Sequence, residues 1–66
     1  MKITVNGEPK SIAKGHTIES FMLESGFTKS YLALSLNNEF LEKSSWARTL
    51  VNEGDELEIV SPMVGG

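Results

Sequence analysis

Alternating apolar and polar residues near the start of the chain predict a β-hairpin. Ile3 and Val5 alternate with polar neighbours, and Asn6-Gly7 follows them, a dipeptide that tolerates the positive φ angles of a two-residue type I′ turn. The second strand of the hairpin is predicted over residues 8–12. Because Pro9 has no backbone N–H to donate to a neighbouring strand, we expect this second strand at an edge of the sheet.

The apolar pattern then changes to the period of a helix. Ile18, Phe21 and Met22 are spaced i, i+3 and i+4, which places them on one helical face. Thr17 is the expected N-cap, because its hydroxyl can accept a hydrogen bond from a free amide of the first turn. Ser20 stands where a capping box has Glu or Gln, so a full capping box is not expected.

The end of this helix is also marked in the sequence. Gly26 tolerates the left-handed conformation that often follows the last helical turn. Phe27, just beyond it, can fold back onto Phe21 or Met22, which is typical of a Schellman ending. The sequence therefore predicts one main helix over residues 18–25.

A third and a fourth strand are predicted after the helix. Residues 31–36 alternate with a period of two, with the leucines at 32, 34 and 36 on one side. Asn37-Asn38 can then turn the chain into a short strand at residues 39–41.

The last third of the chain predicts a helical turn and a final strand. A serine cap and a single turn of helix are expected within residues 44–48, with Trp46 as its anchor. The alternation of Glu56-Leu57-Glu58-Ile59 predicts a last strand that runs to about residue 61.

This order of elements predicts an α+β fold. A helix packed across one face of a mixed sheet of four or five strands lets a short chain form one shared core. The first and last strands can pair in parallel, since the segment between them is long enough to return.

Size, charge and cysteine content narrow the classes of function. A chain of 66 residues is too small for an enclosed active site, so an ordinary one-chain enzyme is not expected. It has no cysteine, which excludes disulfides, thiolate nucleophiles and Cys-based zinc sites and suits a reducing, cytoplasmic location. A net charge of −3 disfavours nucleic acid and anionic membrane surfaces as partners, and no apolar run has the length of a signal peptide or membrane span.

The residues within the predicted domain form no recognisable reaction centre. His16 is the only histidine, and no spacing of residues matches a metal site. For His16, a structural role just before the helix cap is favoured over a catalytic one. The isolated glycines at positions 7, 15, 26 and 54 do not form a phosphate-binding loop. No bound cofactor is expected, and ATP, if used, binds to another protein.

The most unusual feature is the terminal dipeptide Gly65-Gly66. Two residues without Cβ atoms form a thin strand that can enter a narrow channel in a partner. A terminal carboxylate is an anion at neutral pH and a poor electrophile, so chemistry at Gly66 requires activation. Attack of this carboxylate on the α-phosphate of ATP would produce a reactive mixed anhydride.

Three segments and this terminus together resemble a known family. The segments are MKITVNGE at residues 1–8, LEKSSW at 41–46, and EGDELEIV at 53–60, which runs on to Gly65-Gly66. The chain resembles the ThiS-type sulfur carriers of thiamin biosynthesis, which have a ubiquitin-like β-grasp fold. The resemblance implies a β-grasp domain at residues 1–62 and a flexible Gly-Gly tail at residues 63–66.

The resemblance also implies partners and a site. An E1-like enzyme of the ThiF type would adenylate the Gly66 carboxylate with ATP, and a persulfide protein would donate the sulfur of a thiocarboxylate. A thiazole synthase of the ThiG type would receive that sulfur. Met63, Val64 and Gly65 would thread into the partners, and the chain would be a carried substrate with no catalytic residue of its own.

Two alternatives remain open at this point. The segment SPMV at residues 61–64 also resembles the end of MoaD-type small subunits of molybdopterin synthase, which have the same fold and terminal chemistry. The thiamin carrier is favoured because MoaD-like chains are usually longer. The other alternative is a ubiquitin-like modifier or interaction module.

The last strand supplies a candidate contact surface. If Leu57 and Ile59 face the core, the outward positions beside the tail are Glu56, Glu58, Val60 and Pro62. Acidic residues cluster from Glu53 to Glu58, and they form either a solvated strand face or a patch that attracts a basic partner.

Overall fold

The computed structural model describes residues 1–28 and 31–61. Its elements, in chain order, are β1 (Lys2–Val5), β2 (Glu8–Ser11), α1 (Ile18–Glu24), β3 (Ala33–Leu36), β4 (Glu39–Leu41), a 3₁₀ helix (Lys43–Arg48) and β5 (Glu56–Val60). Pro62 and the predicted tail at residues 63–66 lie outside the described residues.

The strands form one mixed sheet in the order β2-β1-β5-β3-β4. β1 pairs antiparallel with β2, and β3 pairs antiparallel with both β4 and β5. β1 and β5 run parallel, with Thr4 opposite Glu56 and Val5 opposite Leu57. The predictions of a parallel pair of first and last strands and of an edge position for β2 are confirmed.

The start of α1 differs from the prediction. Thr17 Oγ1 accepts a hydrogen bond from Ser20 N at 3.1 Å, and Ser20 Oγ accepts one from Thr17 N at 3.0 Å. The expectation that Ser20 prevents a capping box is therefore wrong. A serine hydroxyl oxygen is an acceptor as a carboxylate oxygen is, and here the shorter side chain reaches the amide of the N-cap residue.

The predicted Schellman ending of α1 is confirmed. Phe27 N donates to Met22 O at 2.9 Å and Gly26 N donates to Leu23 O at 3.2 Å, while Gly26 has a φ of 87°. Phe27 is half-buried against the core, as its position after the glycine predicts.

The 3₁₀ helix begins earlier than the sequence indicates. Glu42 is its N-cap and makes no side-chain capping bond, so the predicted serine cap is wrong. The turn is started instead by a backbone bond from Ser45 N to Glu42 O at 2.8 Å. Trp46 anchors the helix as predicted, since the ring is buried and Nε1 donates to Leu41 O at 3.1 Å.

The core lies between α1 and one face of the sheet. Alternate residues of the strands point toward the helix, as the period of two predicts. The buried apolar residues are Ile3, Val5, Ile18, Phe21, Met22, Leu34, Trp46, Val51, Leu57 and Ile59.

The capping box gives the first prediction. We expect Ser20→Ala to lower the free energy of unfolding by about 1 kcal/mol, because the backbone N–H of the N-cap residue Thr17 loses its acceptor, Ser20 Oγ. Urea unfolding followed by Trp46 fluorescence measures this change. The matched control is Ser44→Ala, since Ser44 is exposed and does not cap the 3₁₀ helix. Equal losses in the two variants would contradict the role of Ser20.

Candidate functional site: the outer face of the sheet

The candidate site is the face of the sheet that points away from α1, here called the outer face. Leu57 and Ile59 of β5 point into the core, so Glu56, Glu58 and Val60 lie on the opposite side. This confirms the predicted orientation of the last strand. The other predicted site residues, Pro62, Met63, Val64, Gly65 and Gly66, lie outside the described residues.

The sheet register brings a second apolar side chain to this face. Phe40 of β4 is opposite Ser35 of β3, and Ser35 is opposite Glu58 of β5. With strands about 4.8 Å apart, the Cα atoms of Phe40 and Glu58 are separated by about 10 Å. Phe40 is 69% exposed and Val60 is 57% exposed. Apolar residues therefore lie on two sides of Glu58.

A shallow groove crosses the same face. It has a volume of about 240 Å³ and is lined by Thr4, Gly7, Asn38, Glu56, Leu57 and Glu58. Both glutamates are exposed and have carboxylates with the charge to attract a basic group. The groove and the apolar pair together give the outer face a mixed acidic and apolar surface.

The acidic stretch between residues 53 and 58 does not form one patch. Asp55 is only 8% exposed; its Oδ1 accepts from Asn37 Nδ2 at 3.1 Å and its Oδ2 from Asn52 N at 2.7 Å. Glu53 Oε1 accepts from Lys2 N at 3.0 Å. Asp55 is thus a buried structural acceptor, and only Glu56 and Glu58 remain on the outer face.

Asparagine side chains complete the hydrogen bonding of β5. Asn6 Oδ1 accepts from Ile59 N at 2.8 Å, and Asn37 Oδ1 accepts from Glu56 N at 2.9 Å. Both asparagines have positive φ angles, of 52° and 53°. Sequence reasoning assigned them only to turns, because the partners of their side chains are distant in the sequence.

Sequence reasoning also missed Phe40. A strand of three residues is too short for its alternation to show which side chains face the core. The sheet register was needed to place this side chain on the outer face.

His16 has local partners at the start of α1. Its Nδ1 lies 2.9 Å from Ser20 Oγ, and its Nε2 lies 3.7 Å from Glu24 Oε1. Across residues 1–28 and 31–61, no group of three or more His, Asp or Glu side chains is placed to hold a metal ion. In the same ranges, no helix has the length and apolar content needed to cross a membrane.

Comparison with known proteins identifies the family. Residues 3–66 match the model of the ThiS family, which is nearly the whole chain. The chain belongs to the ThiS family. The crystal structure of the thiamine biosynthesis protein ThiS from Geobacter metallireducens is similar with a TM-score of 0.88 and 30% identity, over 100% of both chains. This likeness confirms the predicted β-grasp fold.

The curated relatives of this ThiS family chain include a sulfur carrier protein and two thiazole synthases. The sulfur carrier protein ThiS of Escherichia coli is 24% identical over 66 residues, which cover 100% of both chains. A thiazole synthase of Paramagnetospirillum magneticum is 39% identical over 66 residues. The chain spans 20% of the length of that protein and of a second thiazole synthase, from Magnetococcus marinus.

The separation of outer face and core gives the second prediction. We expect Phe40→Ala to change the free energy of unfolding by less than about 1 kcal/mol, because the ring contributes little to the core. Leu34→Ala in the neighbouring strand is the contrasting variant and should cost about 2–5 kcal/mol, since Leu34 is fully buried. Urea unfolding of both variants measures the difference. If Phe40→Ala lowered the free energy of unfolding as much as Leu34→Ala, the placement of Phe40 on the outer face would be contradicted.

Proposed function

We propose that this chain is a sulfur carrier of thiamin biosynthesis that carries sulfur as a thiocarboxylate on Gly66. The observation that carries the proposal is the ThiS family match, which runs through Gly66. The full-length similarity to the E. coli sulfur carrier protein ThiS supports it further.

The chemistry of the proposed site follows from the terminal carboxylate. As an anion it resists nucleophilic attack, so an E1-like partner of the ThiF type first joins it to the α-phosphate of ATP with loss of pyrophosphate. A persulfide sulfur from a donor protein then displaces AMP from the acyl carbon. Cleavage of the resulting acyl disulfide by a thiol leaves the thiocarboxylate. The partners supply every catalytic group, and the carrier supplies an unhindered glycine carbonyl.

A thiazole synthase of the ThiG type is the proposed acceptor of the sulfur. Two proteins named thiazole synthase contain a region similar to the whole of this chain within a polypeptide about five times as long. In those proteins the region similar to this chain is therefore covalently joined to the rest of the polypeptide named thiazole synthase. This supports an encounter between the same two partners when the carrier is a separate chain.

The outer face is the proposed contact surface for the activating enzyme. Val60 precedes the tail by a few residues, so an enzyme that contacts Val60 and Phe40 is also close to the segment that leads to Gly66. Exposed apolar residues that adjoin a reactive segment are typical of an interaction site. Glu56 and Glu58 would favour a partner with basic side chains and would speed the encounter.

The first test measures sulfur transfer itself. We expect the carrier, incubated with ATP, a ThiF-type enzyme and a persulfide donor, to gain the mass of one oxygen-to-sulfur exchange at Gly66. Deletion of Gly66 should abolish the gain, because the remaining carboxylate lies one residue short of the reactive position. Intact-mass spectrometry measures the product, and urea unfolding checks that the deletion leaves the domain folded.

The products also separate the alternatives. Transfer to a ThiG-type synthase supports the thiamin pathway, and transfer to a molybdopterin precursor supports the MoaD-type alternative. Ladders of lysine conjugates without sulfur would support a modifier. Sulfur gain that persists after deletion of Gly66 would contradict the proposed site.

The second test concerns the outer face. We expect Val60→Asp to raise the KM for the carrier in ATP–pyrophosphate exchange about tenfold, because burial of a valine at an interface is worth about 1.5 kcal/mol. The matched control is Leu50→Asp, since Leu50 is also 57% exposed but lies outside the five strands, in an isolated bridge with Thr17. Equal effects of the two variants, or native exchange with Val60→Asp, would exclude this surface as the contact.

A further inference from the structure

Asn6 holds β5 in a way that ordinary strand pairing does not. Its backbone N–H donates to Leu57 O at 2.8 Å, as expected for a residue of a parallel ladder. In such a ladder the carbonyl of the same residue would accept from Ile59 N. The positive φ of Asn6 belongs to the turn, and its side-chain Oδ1 accepts the Ile59 bond instead, at 2.8 Å.

The same side chain stands in a chemically reactive dipeptide. Gly7 follows Asn6 and has no Cβ to shield its backbone nitrogen, and both residues are exposed to water. Attack of Gly7 N on Asn6 Cγ forms a five-membered succinimide. The N–Cγ bond forms, the Cγ–Nδ2 bond breaks, and the amide leaves as ammonia with the proton of Gly7 N. Water then opens the ring to aspartate or isoaspartate, with no change of oxidation state.

We propose that Asn6 is a site of spontaneous deamidation and that its isoaspartyl product releases the Ile59 amide and loosens β5 from β1. In isoaspartate the main chain runs through the former side-chain carbonyl, so the acceptor of the Ile59 bond becomes part of the backbone. The added backbone atom also changes the length of a two-residue turn whose geometry matches its strands. This inference does not rest on the proposed function.

The folded structure restrains the reacting side chain and limits the effect of the product on β5. The bond from Ile59 N restrains Oδ1 and therefore Cγ, so we expect the attack of Gly7 N on Cγ to be slower while this bond is formed. β5 keeps its pairing with β3, where Leu34 is opposite Ile59 and Ala33 is opposite Val60. The product therefore loosens one side of β5 without removing the strand from the sheet.

Other asparagines provide internal controls. Asn37 and Asn38 also have positive φ angles, of 53° and 70°, but are followed by Asn38 and Glu39. Asn52 is followed by Glu53. The side chains of these following residues shield their backbone nitrogens, so the proposal distinguishes Asn6 from residues of similar conformation.

The first experiment follows the reaction in the full chain. The protein is incubated at mildly alkaline pH, and peptide mass spectrometry with isoaspartyl methyltransferase labelling locates the product. We expect Asn6 to react faster than Asn38 and Asn52. It should react about fivefold faster in urea-unfolded chain than in folded chain, because folding adds the Ile59 bond. Equal rates at Asn6 and Asn38, or equal rates at Asn6 in the folded and unfolded chain, would overturn the proposal.

The second experiment measures the effect on β5. Hydrogen exchange at the Ile59 amide is compared between the native chain, the purified isoaspartyl form and Asn6→Asp. We expect exchange about fivefold faster in the isoaspartyl form, since one hydrogen bond is lost. Asn6→Asp keeps an acceptor oxygen and tolerates the turn, so its Ile59 amide should stay protected. Native protection in the isoaspartyl form would overturn the proposal.

Discussion

The parallel pairing of β1 with β5 is the interaction on which the rest of the structure depends. It joins segments that are about fifty residues apart and places β5 between β1 and β3 at the centre of the sheet. Because β5 is central, Leu57 and Ile59 are covered by α1 while both strand edges are paired. The core cannot form around this strand until the intervening chain has returned, so this pairing carries a large entropic cost of loop closure.

A central strand between shorter neighbours needs hydrogen-bond partners where those neighbours turn away. Asn6 and Asn37 supply them with side-chain oxygens, and Asp55 is held in turn by Asn37 and Asn52. Every described buried side-chain nitrogen or oxygen atom has a hydrogen-bond partner. In a small domain, one unpaired buried group would cost a large share of the total stability. The turns of this protein therefore reverse the chain and also supply hydrogen-bond acceptors to the sheet.

Much of the fold follows from local patterns, and the rest depends on distant partners. The hairpin, α1 with its glycine ending, and β5 were predictable because hydrophobic period, turn dipeptides and caps act within a few residues. The burial of Asp55 was not predictable, since one of its hydrogen-bond partners, Asn37, is 18 residues away in the sequence. The orientation of Phe40 depends on the register of β3 and β4. The Ser20 capping bond is local, but the usual capping-box pattern does not include serine at that position.

The outer face shows how one strand can serve stability and recognition separately. In β5 the inward residues carry the packing, while Glu56, Glu58 and Val60 have little contact with the core. Substitutions at the outward positions can therefore change the proposed binding with small effects on stability. Substitutions at Leu57 or Ile59 would lower the stability of the fold and, through it, the proposed binding as well. For the carrier role proposed above, this separation means that the proposed contact surface can be altered without loss of the fold. The constraint that remains is the register of β1 and β5, since a shift by one residue would exchange the two faces.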